Sequence, residues 1–318
     1  MGILGYGLYS LGMIFFQNMT TFYFLQIILG ISASLFFVSS RAILMGSHLE
    51  NPDRAFAWFY SAPSYADAIA PAVGALFIWK FDFTGVFILS LVLQILNAVF
   101  CFTSLRKKTS QLTEKIKIRQ VSQNYLKVLG KIKYKNTLPY ILVSFLVLIL
   151  AGFNNTFFAL FLKELHWSQN QILIFNSVLS LFFLPLSLWA IKRVARFRSE
   201  INICQGSQIT GIFSFILGSL VGVLNFYSTF IIMLGSYLGG LMAFAGRSGL
   251  MTIKLKEYPE ESAAVDTVFS PLATAVGALA GGLIIGPFGY PLIFMLSGIL
   301  IFFSGVLTKR FAKNENLS

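Results

Sequence analysis

Charge is what this chain of 318 residues has least of: 11% of it is Asp, Glu, Lys or Arg, while 56% is apolar and the mean hydropathy is +0.76. A water-soluble domain has about a quarter of its residues charged, so that class is excluded. Cysteine is nearly absent. Cys101 and Cys204 lie in or beside apolar spans without a Cys-x-x-Cys spacing, which excludes a disulfide framework and a cysteine-based metal centre. Only two histidines occur, His48 and His166, and no Ser/His/Asp grouping, metal-ligand cluster or phosphate-binding P-loop accompanies them. Neither enzymatic chemistry nor a cofactor is expected, and direct coupling to ATP within the chain is excluded. The opening M-G-I-L-G-Y lacks a basic n-region and a Ser or Thr at its sixth position, so neither a secretory signal nor myristoylation is indicated.

What the chain does have is apolar runs about 20 residues long, the length that crosses about 30 Å of hydrocarbon as a helix. Ten spans are read, at roughly 2–16, 22–44, 55–79, 85–104, 138–162, 170–191, 202–224, 227–251, 265–286 and 288–308. Short connections make neighbouring helices antiparallel. With both termini placed inside, only Lys80 and Lys163 of the 24 basic residues fall on the outer side. Arg41 and Arg247 lie within spans near their inner ends, and the other 20 collect on the inner face. That asymmetry predicts an inner or plasma membrane protein with cytoplasmic termini. It also accounts for the net charge of +12 without a nucleic-acid partner.

The stretch 23–89 returns at 230–296. A shift of 207 puts Pro52 on Pro259, Gly74 on Gly281, Phe81 on Phe288 and Phe87 on Phe294, and brings Arg41 within one residue of Arg247. Spans one to four then match spans seven to ten, and spans five and six have no partners ahead of them. Two helices are therefore expected to be missing from the front. The predicted units are a four-helix bundle at 1–104, a linker at 105–137, a six-helix bundle at 138–308 and a tail at 309–318. The linker has ten basic residues and the single acid Glu114. Its Ile116, Ile118, Val121, Tyr125, Leu126 and Leu129 allow an amphipathic helix lying on the membrane surface among anionic lipid headgroups.

An ionisable side chain inside a membrane costs about 2.5–3.5 kcal/mol at the helix centre on insertion scales, so it needs a reason. Asp67 sits some 12 residues into the third span with Tyr60, Ser61, Ser64 and Tyr65 around it. It is a candidate for binding a proton or a cationic group. The alternative is a buried carboxylate bonded to neighbouring hydroxyls or to backbone freed by Pro63 and Pro71. Arg41, with Glu50 and Asp53 as candidate partners, and Arg247, with Glu260, Glu261 and Asp266, lie near the inner ends of equivalent helices, where a structural role or snorkelling to the interface is favoured over the alternative of substrate binding. Asn154, Asn155 and Thr156 form a polar patch in the fifth span. Helical geometry turns the two Asn residues about 100° apart, so one of them is expected to face a site, or an interhelical hydrogen bond explains both. Asn176, Ser177 and Ser180 make a weaker patch in the sixth. Gly277, Gly281 and Gly282, and Gly235, Gly239 and Gly240, form small-residue faces suited to sliding helices.

A parallel six-helix repeat with a basic inner linker resembles the major facilitator superfamily of secondary transporters, with two six-helix bundles around a midplane site. The resemblance maps the ten spans onto the family's third to twelfth helices, an all-α membrane protein built as four plus six. Its loop motif G-x-x-x-D-R-x-G-R-R has a counterpart at 189–198, W-A-I-K-R-V-A-R-F-R, which keeps the basic cluster without the Gly and Asp. Its antiporter motif corresponds to A-P-A-V-G-A at 70–75, which keeps the Pro and one Gly. The resemblance implies alternating-access transport of a small solute coupled to an ion such as H+, by a monomer in contact with lipid. It implies that Gln26, Tyr65, Asn154, Asn155 and Tyr237 belong to cavity-lining helices, and that inner-loop charges lock a gate. A ten-helix drug/metabolite-type transporter and a truncated, non-transporting remnant are the alternatives. The 207-residue offset and the linker after span four disfavour five-plus-five construction.

Overall fold

The computed structural model describes residues 2–16, 18–47, 49–105, 118–134 and 137–315, and all regular structure among them is helical. In order the helices are α1 (Gly2–Phe15), α2 (Met19–Gly46), α3 (Pro52–Leu105), α4 (Ile118–Tyr134), α5 (Leu138–Glu164), α6 (Gln169–Val194), α7 (Ser199–Ser219), α8 (Phe226–Lys254) and α9 (Pro259–Glu315), with a 3-10 turn at Val221–Val223. Linker residues 106–117, including Glu114 and Ile116, and His48 lie outside the described residues.

The sequence repeat is visible in the backbone. α2 and α8 begin 207 residues apart, at Met19 and Phe226. Each is capped by an asparagine whose Oδ1 accepts from the third amide onward, Asn18 from Thr21 at 2.8 Å and Asn225 from Ser228 at 3.0 Å. α3 and α9 begin at Pro52 and Pro259, where a missing N–H costs nothing and the fixed φ suits a first turn. Both long helices break at the same offset, at Asp82 (φ 59°, ψ −175°) and Gly289 (φ 70°, ψ 174°). This backbone region belongs almost exclusively to glycine, so Asp82 is strained where its counterpart is not. Its Oδ1 accepts the Phe83 amide at 2.7 Å.

Among the described residues, six stretches are long and apolar enough to cross a membrane: Met19–Gly46, Leu76–Ser104, Leu138–Glu164, Gln169–Val194, Phe226–Lys254 and the kinked Pro259–Arg310. α1 is shorter. α7 is less apolar, and its Ser, Thr, Asn and Gly pack against α8, α9 and α5.

α1 packs on α2 and on the second part of α3, through Gly5 against Ser32 and a 3.0 Å bond between Ser10 and Ser90. The second group is α5 to α9. Its aromatic core gathers Phe153, Phe158, Phe161, Phe175, Tyr290 and Phe294 near the α5–α6 connection. The two groups meet where α2 runs beside α9 and α3 beside α6 and α8. A second apolar cluster joins them there, with Met45, Phe56, Ile191, Val194, Met251 and Leu255. α4 docks into this cluster through Val128 and Ile132. Asn124 donates to Glu261 Oε1 at 2.8 Å, and Lys131 pairs with Glu257. Leu126 and Leu129, expected on a stripe facing the membrane surface, are exposed and take no part in this docking. The buried stripe lies one helical position away.

Candidate functional site

A cavity of about 290 Å³ opens between α3 and the α5–α9 group. Its apolar wall includes Val147, Leu148, Phe183, Leu241 and Phe244, and its polar atoms come from Ser64, Asn154, Asn155, Thr210, Ser236, Tyr237 and Ser270. Tyr60 and Arg247 bound it toward the face that carries the basic loops. Asn154 and Asn155 both line it, whereas only one was expected to. A wide cavity can border two adjacent residues across a 100° arc. Thr156 instead donates to the Gly152 carbonyl of its own helix at 3.0 Å. Ser177 likewise bonds back to Leu173, and neither it nor Asn176 or Ser180 bounds the cavity.

Below the cavity four helices converge on one carboxylate. Asp266 of α9 is fully buried and accepts from Arg247 Nε at 2.7 Å and Ser248 Oγ at 2.6 Å, both on α8. Tyr60 OH of α3 donates to it at 3.3 Å, and Arg41 Nη1 of α2 lies 3.4 Å away. Tyr60 OH also shares a 2.7 Å bond with Ser248 and accepts from Arg247 Nη2 at 3.3 Å. The Arg41 guanidinium sits over the Phe59 and Tyr60 rings, 5.8 and 5.4 Å from their centroids, and is buried, so it does not snorkel.

This geometry corrects the expected pairings. Arg41 takes neither Glu50, which is exposed, nor Asp53, but an acid 225 residues away that the packing of α2 on α9 brings to it. Of the three acids offered to Arg247, only Asp266 is used; Glu261 holds Asn124 and Glu260 is exposed.

Asp53 begins a second inter-group contact. Buried at the start of α3, it accepts from Ser199 Oγ at 2.6 Å and Asn202 Nδ2 at 2.7 Å, both on α7, and it packs against Gly249 of α8. Next to it Asn51 Nδ2 donates to the Ala195 carbonyl at 2.8 Å. Burial pushes the Asp53 carboxyl up to about 7, with Glu200 adding to the rise and the two hydrogen bonds opposing it. Glu200 itself is held by Arg198 and Lys254. A raised acid binds its proton more tightly folded than unfolded, so its contribution favours the fold at low pH. That contribution is lost as pH rises from the ordinary carboxylate range to about 7. In thermal unfolding across this window, Asp53→Asn is expected to flatten the decline relative to the parent protein.

Asp67 is exposed, does not bound the cavity and makes no hydrogen bond or ion pair among the described residues. It interacts electrostatically with Tyr237 of the cavity wall. The buried-carboxylate alternative is thereby set aside. Tyr65 lies half-buried with its OH 3.3 Å from Ser187 Oγ, and joins α3 to α6 without lining the cavity. Gln26 is exposed at the other end of α2, 3.5 Å from Tyr9 OH. Ser199, Asn202, Ser236 and Ser248 were not singled out from sequence. A hydroxyl in an apolar helix carries little signal, because it usually bonds to its own backbone.

The Major Facilitator Superfamily family model matches residues 1–265. No curated protein matches the chain. That match sets aside the drug/metabolite-type alternative and agrees with an all-helical chain in which two helix groups enclose a central cavity. This is a multi-pass membrane protein, and the chain belongs to the major facilitator superfamily of transporters.

Proposed function

We propose that this chain moves a small solute across the membrane by alternating access, in a conformation closed on the cytoplasmic side. The ten helical segments cross as four and six, with the basic linker and both termini in the cytoplasm, as the Lys and Arg distribution requires. One observation carries the reading: the cavity is bounded by both helix groups, and the contacts that join them collect between it and the basic face. Arg41, Tyr60, Arg247 and Asp266, with Asp53, Ser199 and Asn202, act as the closed gate. A gate must break, so its halves must separate in the alternate state.

A disulfide tests this without knowledge of the solute. A Cβ at Gly46 would lie 3.9 Å from that of Pro259 across the α2–α9 contact, within the range a disulfide spans. In a background lacking Cys101 and Cys204, a cysteine at Ser64 reports access to the cavity through labelling by a membrane-impermeant maleimide. Labelling is expected from both sides of the membrane. After oxidation of Gly46→Cys with Pro259→Cys, it is expected only from the outer side, and reduction should restore it. Unchanged two-sided labelling would refute the gate.

Asp67 is proposed as the proton or cation site, because an ionisable side chain within a span needs a reason and its charge acts on Tyr237 of the cavity wall. Solute-driven proton movement in reconstituted vesicles is expected to vanish in Asp67→Asn; its persistence removes Asp67 from coupling.

A further inference from the structure

We infer that the transported solute carries an anionic group and that Arg247 receives it at the cytoplasmic end of the cavity. This rests on the transport reading and narrows it to a substrate class. The buried cluster holds two guanidinium groups, Arg41 and Arg247, against one carboxylate, Asp266, with side-chain exposures of 6%, 1% and 0%. A formal positive charge is left over where solvent cannot screen it, and a buried unpaired charge is strongly unfavourable. The neighbouring acids are engaged elsewhere: Asp53 with Ser199 and Asn202, Glu200 with Arg198 and Lys254.

Hydrogen bonding points the same way. Asp266 accepts from three donors, and Arg41 Nη1 stands 3.4 Å away as an ion-pair partner without a hydrogen bond. Arg247 spends Nε on Asp266 and Nη2 on Tyr60 OH, whereas its buried Nη1, like Nε and Nη1 of Arg41, has no hydrogen-bond partner among the described residues. Buried donors in folded proteins are nearly always paired. The Phe269 ring 5.9 Å from the guanidinium offers a π face but no acceptor. Arg247 is also one of the residues bounding the cavity. A ligand oxyanion there would supply both the missing acceptor and the missing charge.

The rest of the cavity limits what else the ligand is. Its walls are largely apolar, and its 290 Å³ lies at the lower edge of the roughly 300–1,000 Å³ typical of small-molecule sites. The class that fits is a small organic anion, a carboxylate, sulfonate or phosphate monoester, with an apolar body of about one ring.

Thermal unfolding of the purified full chain in phosphatidylcholine nanodiscs tests this independently of transport. Benzoate, benzenesulfonate and phenyl phosphate are the probes, with choline and glucose as controls. At least one anion is expected to raise Tm saturably, and the controls are not. Arg247→Gln is expected to weaken that binding about 10- to 100-fold, as loss of a charged hydrogen bond does. Arg247→Lys, which keeps the charge, should retain part of it if the glutamine variant does not fold. Asp266→Asn should tighten it, because the acid competes with the ligand for the same guanidinium, whereas a merely structural Arg247 predicts no tightening. The inference is overturned if no anion shifts Tm, if the shift survives Arg247→Gln, or if phosphatidylglycerol in the discs abolishes it and marks a lipid-headgroup site. Passage of choline or glucose alone through proteoliposomes would overturn the anion class while leaving transport intact.

Discussion

Replacing Asp266 by alanine is expected to lower the unfolding free energy by about 3–5 kcal/mol, the loss found when one partner of a buried ion pair is removed. The reason is not the worth of one salt bridge. Among the described residues Asp266 is the one carboxylate paired with these arginines, and removing it leaves Arg41 and Arg247 both buried without it, with Ser248 and Tyr60 losing an acceptor. Unfolding in detergent micelles measures the loss. A second variant separates stability from gating. Replacing the triad together, Arg41→Met, Arg247→Met and Asp266→Leu, removes the charges along with their partners, and apolar replacement of buried ion pairs is often neutral or stabilising. Stability should then recover to near the parent value. The charge-based preference for the cytoplasm-closed conformation should not recover, so a Ser64→Cys reporter should label more readily from the cytoplasmic side than in the parent. A triple variant that remains as unstable as Asp266→Ala would mean that the charges serve packing geometry rather than closure.

Much of the fold is legible in the sequence because it rests on local patterns. The 207-residue offset between Pro52 and Pro259 reappears in the helix starts, in the Asn18 and Asn225 caps and in the kinks at Asp82 and Gly289. Each depends on a few adjacent residues, so a repeated sequence repeats the structure. The gate is half legible. An arginine in an apolar helix announces that it needs a partner, which identifies Arg41 and Arg247. It does not say which partner, since nearby acids in sequence lie on the same helix end while the acid used stands on a helix that packs alongside. The two arginines are near-equivalents in the repeat, yet Asp266 corresponds to Phe59 and has no acidic counterpart. A symmetric frame therefore holds an asymmetric charge set, and among the described residues Arg41 Nε and Nη1 and Arg247 Nη1 are left without a hydrogen bond.

The cavity is least legible. Asp67, the most conspicuous charge in the third span, stands outside the cavity lining, while Ser64 one turn earlier lies within it. Rotation about a helix axis decides between the two, and the positions facing the cavity are set by neighbours contributed from five other helices. The same holds for α4, whose Val128 and Ile132 are buried while Leu126 and Leu129 are not. Its amphipathic pattern is readable, but a surface helix meeting protein on one side can bury either of two adjacent stripes.

The largest loss of folded protein is expected from Gly206→Val. A Cβ at Gly206 would come 2.5 Å from the Gly239 carbonyl oxygen and 2.6 Å from the Ala243 amide nitrogen. One at Gly239 would come 2.6 Å from the Gly206 carbonyl oxygen. These obstacles are backbone atoms, which no rotamer change can move, so α7 and α8 would have to separate. α7 also packs against α9 in the same manner, where a Cβ at Gly211 would meet Phe302 N at 2.6 Å and one at Gly298 would meet Phe215 N at 2.5 Å. A shift that relieves one contact strains the other. The cost should exceed the roughly 1–3 kcal/mol of ordinary overpacking. Size-exclusion chromatography is expected to show little monodisperse protein, and Gly239→Val should behave alike. Gly30→Ala, with nothing within 4 Å, should be neutral or slightly stabilising. These glycines also revise the mechanical reading of the small-residue faces. Gly277 and Gly281 press on α5, Gly235 and Gly239 on α7, and Gly240 and Gly282 have only ordinary contacts. At the boundary with α3, Gly249 abuts the Asp53 side chain, but the close approaches made by these small-residue faces fall inside the α5–α9 group. They bind that group into a rigid body, and any rocking must occur at the polar contacts of Asp53, Tyr60 and Asp266, where partners can be exchanged.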